Sequence, residues 1–571
     1  MNTRVEKAIF FALLVIATVG MTQFLAVRFF TGHADSASMV DLIRNIATGQ
    51  GLRSSFNSGN DIWPLLTANA DAYCRLTFIP RFRDASVLIW HPYWVAYPMA
   101  ALTALPGVNA LTVVTFLTAL SHIGVLGLLW WFLRRQNVPM AVAAMFVLAV
   151  FVFKPVSESL LGQLYFDRLF LLPGTALVLL VHLHFTEKAR SLWLIAALAF
   201  FCVLLSDRPC IMVGVFLLGY PLLRQGRKVV RSSDSIVLMA MGLACLIYAF
   251  LYFWFVQHNP EYTSLTIPGA FEWLKTSLAP DGALRPQSMK LFAVLTPFIL
   301  LGLFDWRLGL IAVGSVVPNL MVSVGGAEKN LFLTHYHMPY LPFVLAAAAV
   351  GLVRLWRLAR DRAGAAQPAR MLPTTDAIKA MLAAAEAVGL PRLWRLARDR
   401  AGGAQPARML MATAALTAML AMVAAYSNWF NEADLTHTFV FNHPMDPILP
   451  PALVPGLTDR RHSYDFVFRD FSRDLVSTIP RGSAVSAPEG LWPALVDRKI
   501  LTIDFMPFGI GPDPYVVLVY APNPISGPEL QLPVVPDAKV RACVQSRVDQ
   551  SYREIRQAEF GSLRYVIYQH Q

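Results

Sequence analysis

The sequence predicts a mainly α-helical bundle that crosses a membrane many times, with a small α/β domain at its C-terminal end. Of its 571 residues, 56% are hydrophobic and only 15% are charged. Soluble globular chains carry about 45–50% apolar and about 25% charged residues, and the mean hydropathy here is +0.51. This composition excludes a disordered chain, a coiled coil, a nucleic-acid-binding domain and an ordinary cytosolic enzyme. It does not separate a transporter from a membrane enzyme.

Long apolar runs predict the membrane spans. A spanning helix needs about 20 mostly apolar residues, and about eleven runs approach that length. The first follows Arg4 and Lys7 and lacks the small-residue cleavage site of a signal peptide, so we expect a retained helix with a cytoplasmic N-terminus. The runs are 8–30, 109–133, 139–153, 169–184, 191–205, 209–223, 236–256, 289–304, 308–324, 338–354 and 409–426.

The net charge is +12, and the positions of the basic residues predict how the helices are oriented in the membrane. Cytoplasmic loops of membrane proteins carry an excess of Lys and Arg. The basic residues here concentrate in the stretches 134–135, 188–190, 224–231 and 354–408. We therefore expect these stretches on the cytoplasmic side of the membrane. An odd number of spans then places the C-terminal tail outside.

The chain divides into two predicted parts. Residues 1–426 form the transmembrane part, which includes a long outer loop at 31–108 and an Arg-rich cytoplasmic loop at 354–408. Residues 428–571 form a periplasmic α/β domain. Its β-branched and aromatic runs predict strands, its helical spacing predicts helices, and Gly561 separates the two strands of a hairpin. The predicted strands are 483–487, 500–504, 515–520, 552–560 and 563–568, and the predicted helices are 465–478 and 489–496.

An internal repeat lies in the Arg-rich loop. Residues 351–372 recur as residues 389–410, at an offset of 38. One interpretation is a local tandem duplication in a tolerant loop, and another is an Arg/Trp helix that binds anionic lipid headgroups at the membrane surface. The two interpretations are compatible.

The five cysteines are too few for a disulfide scaffold. Three lie in apolar runs, where we expect inert packing residues: Cys202, Cys210 and Cys245. Cys74 and Cys543 fall in segments predicted outside the membrane, which permits one disulfide without requiring it.

The chemistry-bearing candidates are acidic residues, histidines and cations near the outer ends of the spans. The chain has no Walker A loop, no HExxH, no CxxC pair and no G-x-S-x-G motif. Asp35 follows the first span by a few residues. A carboxylate held at the membrane surface is suited to act as general base toward a hydroxyl acceptor. The alternatives are coordination of a divalent cation, orientation of a sugar hydroxyl, or an ordinary helix cap.

Further candidates share the same predicted side of the membrane. The cations are suited to bind a phosphate or pyrophosphate. Each residue type also has a purely structural alternative. The acidic residues would be helix caps or ion-pair partners, the histidines would lie in the aromatic belt, and the cations would snorkel to the membrane surface. The candidate substrate-binding residues are His91, Asp167, Arg168, Asp207, Arg208, Lys329, His335, Tyr336 and His337.

Taken in order, these motifs resemble a bacterial family of polytopic membrane proteins grouped with the GT-C glycosyltransferases, which use polyprenyl-phosphate-linked sugars. Asp35 follows the first helix, where that superfamily places its catalytic carboxylate. Four further features carry the resemblance: Gly49, His91-Pro92 ahead of a Pro-interrupted segment, the run 335–342, and the pair of runs 479–487 and 491–498. The chain departs from the family at Asp167, where a His is common, and at residues 205–207, where Lys-Glu-Asp is common.

The resemblance implies a GT-C-like bundle in the inner membrane of a bacterial cell, and an activity. A sugar would pass from a polyprenyl-phosphate donor to an extracytoplasmic acceptor, which is a glycan, a lipid or a protein. Asp35 would be the catalytic residue, and the candidates named above would bind the substrate. The partners are then the lipid bilayer, the lipid-linked sugar and the acceptor, with no nucleic acid. No cofactor is required by this scheme, and a divalent metal remains an open alternative.

Two other functions stay in view. A transporter or lipid flippase is disfavoured because transporters commonly show paired halves with broken helices and charged residues in mid-span, and neither pattern is evident in the sequence. A non-catalytic envelope scaffold would use the outer domain to bind a partner.

Overall fold

The computed structural model has a helical N-terminal part and a tail built on a six-stranded sheet. The residues that it describes are 3–28, 34–54, 74, 88, 91–161, 164–187, 191–226, 229, 232–256, 285–321, 337–364, 460–500, 502–505, 513–522, 528–531 and 538–571.

Helices account for the part of the chain before the tail. Within the described residues they are α1 Thr3–Arg28, α2 Ala34–Ala47, α3 Ala96–Leu102, α4 Ala110–Arg135, α5 Met140–Val152, α6 Lys154–Leu161, α7 Leu171–Glu187, α8 Leu192–Leu205, α9 Asp207–Gln225, α10 Ser233–Phe255, α11 Arg285–Gly302, α12 Trp306–Met321 and α13 Leu341–Gly364. A 3-10 turn, Phe166–Phe170, leads directly into α7.

The predicted apolar runs become helices. Ten of the eleven coincide with described helices, and the last, 409–426, lies outside the described residues. Four helices of the described chain are long and apolar enough to cross a membrane: Ala110–Arg135, Phe166–Glu187, Ser233–Phe255 and Leu341–Leu358. Four shorter apolar helices accompany them: Phe10–Ala26, Met140–Val152, Leu192–Leu205 and Trp306–Val317. These helices support a multi-pass membrane protein.

The bundle has two chemically different ends. At one end, called the basic end here, Arg135 at the end of α4 pairs with Glu187 at the end of α7, with Nη2 and Oε2 2.7 Å apart. At the opposite end, the backbone N–H of Val95 donates to the carbonyl of Leu204 near the end of α8 (2.8 Å). This second end also contacts the tail, so it is called the tail end.

Small residues permit close approach of two helix pairs. A Cβ atom on Gly242 of α10 would lie 2.7 Å from the carbonyl oxygen of Gly214 of α9. A Cβ atom on Gly351 of α13 would collide with the Leu301 carbonyl of α11. Gly351 is also the first residue of the internal repeat, and α13 continues ten residues beyond Arg354. The first repeat copy therefore begins as a packed helix, whereas the sequence had placed a loop from residue 354 onward.

The tail sheet has the order β2-β1-β3-β6-β5, with β4 beside β3. β1 is parallel to β2 and β3, and the other pairs are antiparallel. The strands are β1 Ala484–Ala487, β2 Thr502–Phe505, β3 Tyr515–Ala521, β4 Glu529–Gln531, β5 Tyr552–Phe560 and β6 Leu563–His570. The helices are α14 Arg460–Val476, α15 Trp492–Asp497 and α16 Ala538–Ser551.

The predicted α/β character of the tail agrees with this sheet. All five predicted strands have a counterpart, and β3 is buried on nearly every residue, as its continuous apolar run requires. β4 and α16 were not predicted.

The contacts that join the tail to the rest of the molecule include two hydrogen bonds and a disulfide. Asn109, which caps α4, donates from Nδ2 to Asp497 Oδ1 (2.9 Å). Arg44 of α2 donates from Nη1 to the carbonyl of Ile500 (3.2 Å). A disulfide links Cys74 to Cys543 of α16, which realises the bond that the sequence permitted. The other three cysteines are free and buried, as predicted.

Candidate functional site

The tail end of the bundle gathers polar side chains from three separate stretches of the chain. They come from the extended segment that precedes α3, from the 3-10 turn that precedes α7, and from the junction of α8 with α9. We call the five of them the polar cluster: His91, Asp167, Ser206, Asp207 and Arg208.

His91 and Asp207 form a buried pair. His91 Nδ1 lies 2.6 Å from Asp207 Oδ1, and both side chains are almost wholly buried. A carboxylate only accepts hydrogen bonds, so Nδ1 carries the hydrogen. The carboxylate thereby fixes the orientation of the imidazole.

Asp167 lies beside this pair and is fully buried. Ser206 donates its hydroxyl hydrogen to Asp167 Oδ1. Arg208 contributes the opposite charge, with its Nη1 3.8 Å from Asp167 Oδ2. The tripeptide 206–208 therefore contacts both Asp167 and His91, because successive residues at the first turn of α9 project in different directions.

The cation of the cluster is partly accessible. The side chain of Arg208 is 20% exposed, whereas that of Asp167 is 1% exposed. Arg168, the next residue after Asp167, is wholly buried. The hydroxyl of Ser121 in α4 donates a hydrogen bond to the backbone carbonyl of Arg168 (3.1 Å), which fixes the backbone at this position. Of the two arginines, Arg208 is the one that an incoming anion can reach.

Aromatic rings enclose the His91 side of the cluster. The Tyr93 ring lies 5.2 Å from the His91 ring and 5.1 Å from the Phe166 ring, measured between centroids. Burial, followed by the neighbouring Tyr165 and Asp167, raises the pKa of the Tyr93 hydroxyl well above its usual value. Tyr93 therefore stays neutral, and its buried hydroxyl has no hydrogen-bond partner among the described residues.

A second aromatic group lies on the same segment. Trp94 donates from Nε1 to the hydroxyl of Tyr248 in α10 (2.7 Å), and its ring stacks on Tyr97 at 6.4 Å between centroids. Tyr97 is largely exposed. Stacked rings with an exposed face are the kind of surface on which a sugar ring packs.

Asp35 is the second residue of α2. The neighbouring residue, Ser36, is buried and accepts a hydrogen bond from the backbone N–H of Leu164 (2.8 Å). Leu164 is three residues before Asp167. The first turn of α2 is therefore fastened to the segment that carries Asp167, which brings the backbone of Asp35 to the same end of the bundle.

The remaining candidates divide into described and undescribed residues. His337 is buried just before α13, and its Nδ1 lies 2.9 Å from the Tyr340 hydroxyl. The following turn packs on the 3-10 turn, with the Phe343 and Phe170 rings 6.3 Å apart. Lys329, His335 and Tyr336 lie outside the described residues.

A metal site was left open by the sequence. In the parts of the chain that the structure describes, no group of three or more His, Cys, Asp or Glu side chains is arranged to hold a metal ion.

Ser206 and His122 are residues of this region that sequence reasoning missed. Ser206 precedes α9 at the N-cap position, where a serine normally caps the helix, but its hydroxyl makes no capping bond and bonds Asp167 instead. His122 of α4 lies behind the 3-10 turn, with Nε2 3.0 Å from the Ser159 hydroxyl. Ser206, next to a predicted acidic candidate, carried a weak signal, whereas His122 inside an apolar run carried none.

Comparison with known proteins gives structural neighbours alone. No family model matches the chain, and no curated protein matches it. Its neighbours include two crystal structures of ArnT from Cupriavidus metallidurans. The structure bound to undecaprenyl phosphate is 13% identical, and the apo structure is 14% identical. In both cases the match covers 99% of this chain and 98% of the other, with a TM-score of 0.43.

Proposed function

We propose that the protein is a membrane glycosyltransferase that moves a sugar from a polyprenyl-phosphate donor to an extracytoplasmic acceptor. The observation that carries this proposal is the buried polar cluster at the tail end of the bundle, onto which the first turn of α2 is fastened by Ser36. The cluster contains four of the residues that the sequence had singled out separately: His91, Asp167, Asp207 and Arg208. The sequence resemblance supplies the reaction class.

Asp35 is the proposed general base. In an inverting transfer, the acceptor hydroxyl oxygen forms a bond to the anomeric carbon while the bond from that carbon to the phosphate oxygen breaks. The hydroxyl proton passes to the carboxylate of Asp35, and the electron pair leaves with the polyprenyl phosphate. A phosphate is a good leaving group, so the step needs a base more than it needs a strong acid.

Arg208 is the proposed partner of the departing phosphate. Its guanidinium is partly exposed, and Asp167 holds it from the buried side at 3.8 Å. Arginine suits this task because its planar fork of donors matches phosphate oxygens. As the phosphate leaves it gains negative charge, and a cation already held in position stabilises that charge without reorganising.

The His91–Asp207 pair is proposed to orient the acceptor or the sugar. The carboxylate fixes the imidazole, so the direction in which Nε2 points is also fixed. The exposed face of Tyr97 and the stacked Trp94 provide an apolar wall beside it for a sugar ring. His337, together with the predicted candidates Lys329, His335 and Tyr336, is proposed to complete the substrate site from the segment that leads to α13.

The tail end is proposed to face the periplasm. Disulfides persist in oxidising compartments, which in bacteria means outside the cytoplasmic membrane, and the Cys74–Cys543 bond joins two segments at this end. The concentration of Arg at the opposite end gives the same orientation by the positive-inside rule. A membrane-impermeant thiol reagent should label an Arg553→Cys variant in intact spheroplasts, whereas labelling only after lysis contradicts this orientation.

Purified protein and its Asp35→Asn variant test the activity. Each is given polyprenyl-phosphate donors that carry different labelled sugars, and the release of polyprenyl phosphate and the labelled product are both measured. We expect transfer by the wild type and a loss of about 10²–10⁴-fold in the variant, the usual contribution of a general base. Asp470→Asn, at an exposed position of α14, is the matched control and should keep the wild-type rate.

Three results would contradict parts of this proposal. Full activity of Asp35→Asn removes Asp35 from the mechanism. Absence of transfer from every donor by the wild type removes the glycosyltransferase function. Uptake of a lipid-linked or polar substrate into proteoliposomes, without any glycosyl product, establishes the transporter instead.

A further inference from the structure

Four arginines meet at the basic end of the bundle, far along the helices from the polar cluster. They come from three helices: Arg224 from the end of α9, Arg307 from the start of α12, and Arg354 and Arg357 from α13. We call them the arginine cluster. Its members surround a buried pair, His182 of α7 and Tyr220 of α9, whose Nδ1 and hydroxyl oxygen are 2.9 Å apart.

The charges in this group are only partly balanced. Arg354 pairs with the fully buried Asp305, with Nη2 and Oδ2 2.6 Å apart. Arg357 donates to the side-chain amide oxygen of Gln136 and lies within electrostatic reach of Glu187, which is already paired with Arg135. Within the described chain, guanidinium groups outnumber carboxylates around the His182–Tyr220 pair.

Two of the arginines have donors that the described protein does not use. Arg307 donates from Nε to the carbonyl of Leu223 (3.0 Å), and its two terminal nitrogens have no hydrogen-bond partner among the described residues. Arg224 is half-buried, and no described residue accepts a hydrogen bond from its guanidinium. Arginine terminal nitrogens that converge from different helices match the oxygens of a phosphate.

The location indicates a lipid as the source of that phosphate. The Trp306 ring is 51% exposed, and the Arg307 guanidinium lies over it at 4.7 Å from the ring centroid. On α4, also at the basic end, Trp131 is 45% exposed beneath Arg135. Exposed tryptophans at helix ends mark the level of the lipid headgroups, and basic pockets between helices at that level bind anionic headgroups.

We infer that the arginine cluster binds the phosphate of an anionic phospholipid headgroup at the basic end. The terminal nitrogens of Arg224 and Arg307 bind the phosphate oxygens, while Arg354 is held by Asp305 and adds long-range attraction. The acyl chains then lie along the exposed apolar surface beside Trp306. The site is separate from the polar cluster and does not rest on the proposed transfer activity.

The test uses the full chain, purified in a neutral detergent and stripped of lipid. It is titrated with short-chain phosphatidylglycerol, with phosphatidylcholine and with inorganic phosphate, and the shift of the thermal unfolding midpoint gives apparent affinities. Arg224→Gln is the decisive variant because it breaks no hydrogen bond or ion pair within the described protein. Arg553→Gln removes an equal charge from the edge strand β5 of the tail and serves as the control.

We expect phosphatidylglycerol to stabilise the wild type and Arg553→Gln equally, and phosphatidylcholine to stabilise them less. Arg224→Gln should bind phosphatidylglycerol about tenfold more weakly or worse, as expected for the loss of a charge-assisted hydrogen bond. Wild-type affinity in Arg224→Gln overturns the site, and so does equal stabilisation by the two lipids. If inorganic phosphate at the same concentration stabilises as well as phosphatidylglycerol does, the lipid is overturned as the ligand.

Discussion

Ser206 donates its hydroxyl hydrogen to Asp167, although it occupies the N-cap position of α9, where a serine would ordinarily bond the backbone of the helix that follows. The bond crosses from the α8–α9 junction to the turn before α7. It joins two helices at the tail end and gives a buried carboxylate a neutral donor beside the cation Arg208.

Replacing this serine tests whether the donor matters. In Ser206→Ala, Asp167 keeps Arg208 at 3.8 Å but loses its closest hydrogen bond. A buried polar group left with one partner fewer costs about 1–3 kcal/mol, so we expect a lower unfolding midpoint and at least about a tenfold slower sugar transfer. Ser546→Ala, on the exposed side of α16, should change neither quantity. Unchanged stability and rate in Ser206→Ala would show that this bond is unimportant.

The His91–Asp207 pair predicts strong coupling between two substitutions. Removing one member leaves the other buried with its hydrogen bond unmade, which costs about 1–3 kcal/mol and more for a charged group. We therefore expect His91→Gln and Asp207→Asn each to be severely destabilised or inactive, and the double variant to lose less than the sum of the two. A double-mutant cycle on the free energy of unfolding measures this coupling. Simple additivity would mean that the pair contributes no mutual stabilisation.

The close approach of α9 and α10 predicts a steric effect. In Gly242→Ala, the new Cβ would lie 2.7 Å from the Gly214 carbonyl oxygen and 2.9 Å from the Leu218 nitrogen. Both are backbone atoms, so the helices must separate, and overpacking of this kind typically costs about 1–3 kcal/mol.

The control for that substitution lies on α9 itself. At Gly219 a new Cβ would meet nothing within 4 Å, so Gly219→Ala should be neutral or stabilising, because alanine is the better helix former. Thermal unfolding in detergent compares the two variants. Equal midpoints would contradict the packing described for Gly242.

The Cys74–Cys543 disulfide predicts a loss of stability when it is removed and a covalent link between two fragments after proteolysis. Cys74→Ser and Cys543→Ser should each lower stability by about 2–5 kcal/mol, the usual loss on removing a native disulfide. The double variant should match either single variant, since both remove the same bond. Partial proteolysis with and without reductant, followed by electrophoresis, shows whether the first loop and the tail separate only after reduction. Separation without reductant would contradict the bond.

The fold was predictable where periodicity and hydropathy are strong. Apolar runs located ten helices of the bundle, and β-branched runs located five strands of the tail. β4 was missed because three residues carry too little pattern. α16 was missed although Val540, Val544 and Val548 recur every fourth residue on one buried face. The residues between them are mostly polar, so the apolar pattern is weak in the sequence.

The sequence predicted several residues of the candidate site, but it did not predict which of them contact each other. His91 and Asp207 were both singled out from the sequence, yet they are 116 residues apart, and no spacing rule indicates that they touch. Ser206 looked like an ordinary cap, and Arg168 looked like an accessible cation but is fully buried. Pairing and burial follow from how helices pack, which is decided by contacts between distant segments.

The disulfide also sets an order for biogenesis. Its two cysteines are separated by 469 residues, so the bond cannot close until nearly every described helix has been synthesised and Cys543 has emerged on the same side of the membrane as Cys74. During synthesis, Cys74 in the first loop therefore stays reduced while the helices of the bundle are inserted. The bond closes as a late step, and only in molecules whose tail has been delivered to the correct side, so the fraction of oxidised protein in a cell reports how much of it has completed assembly.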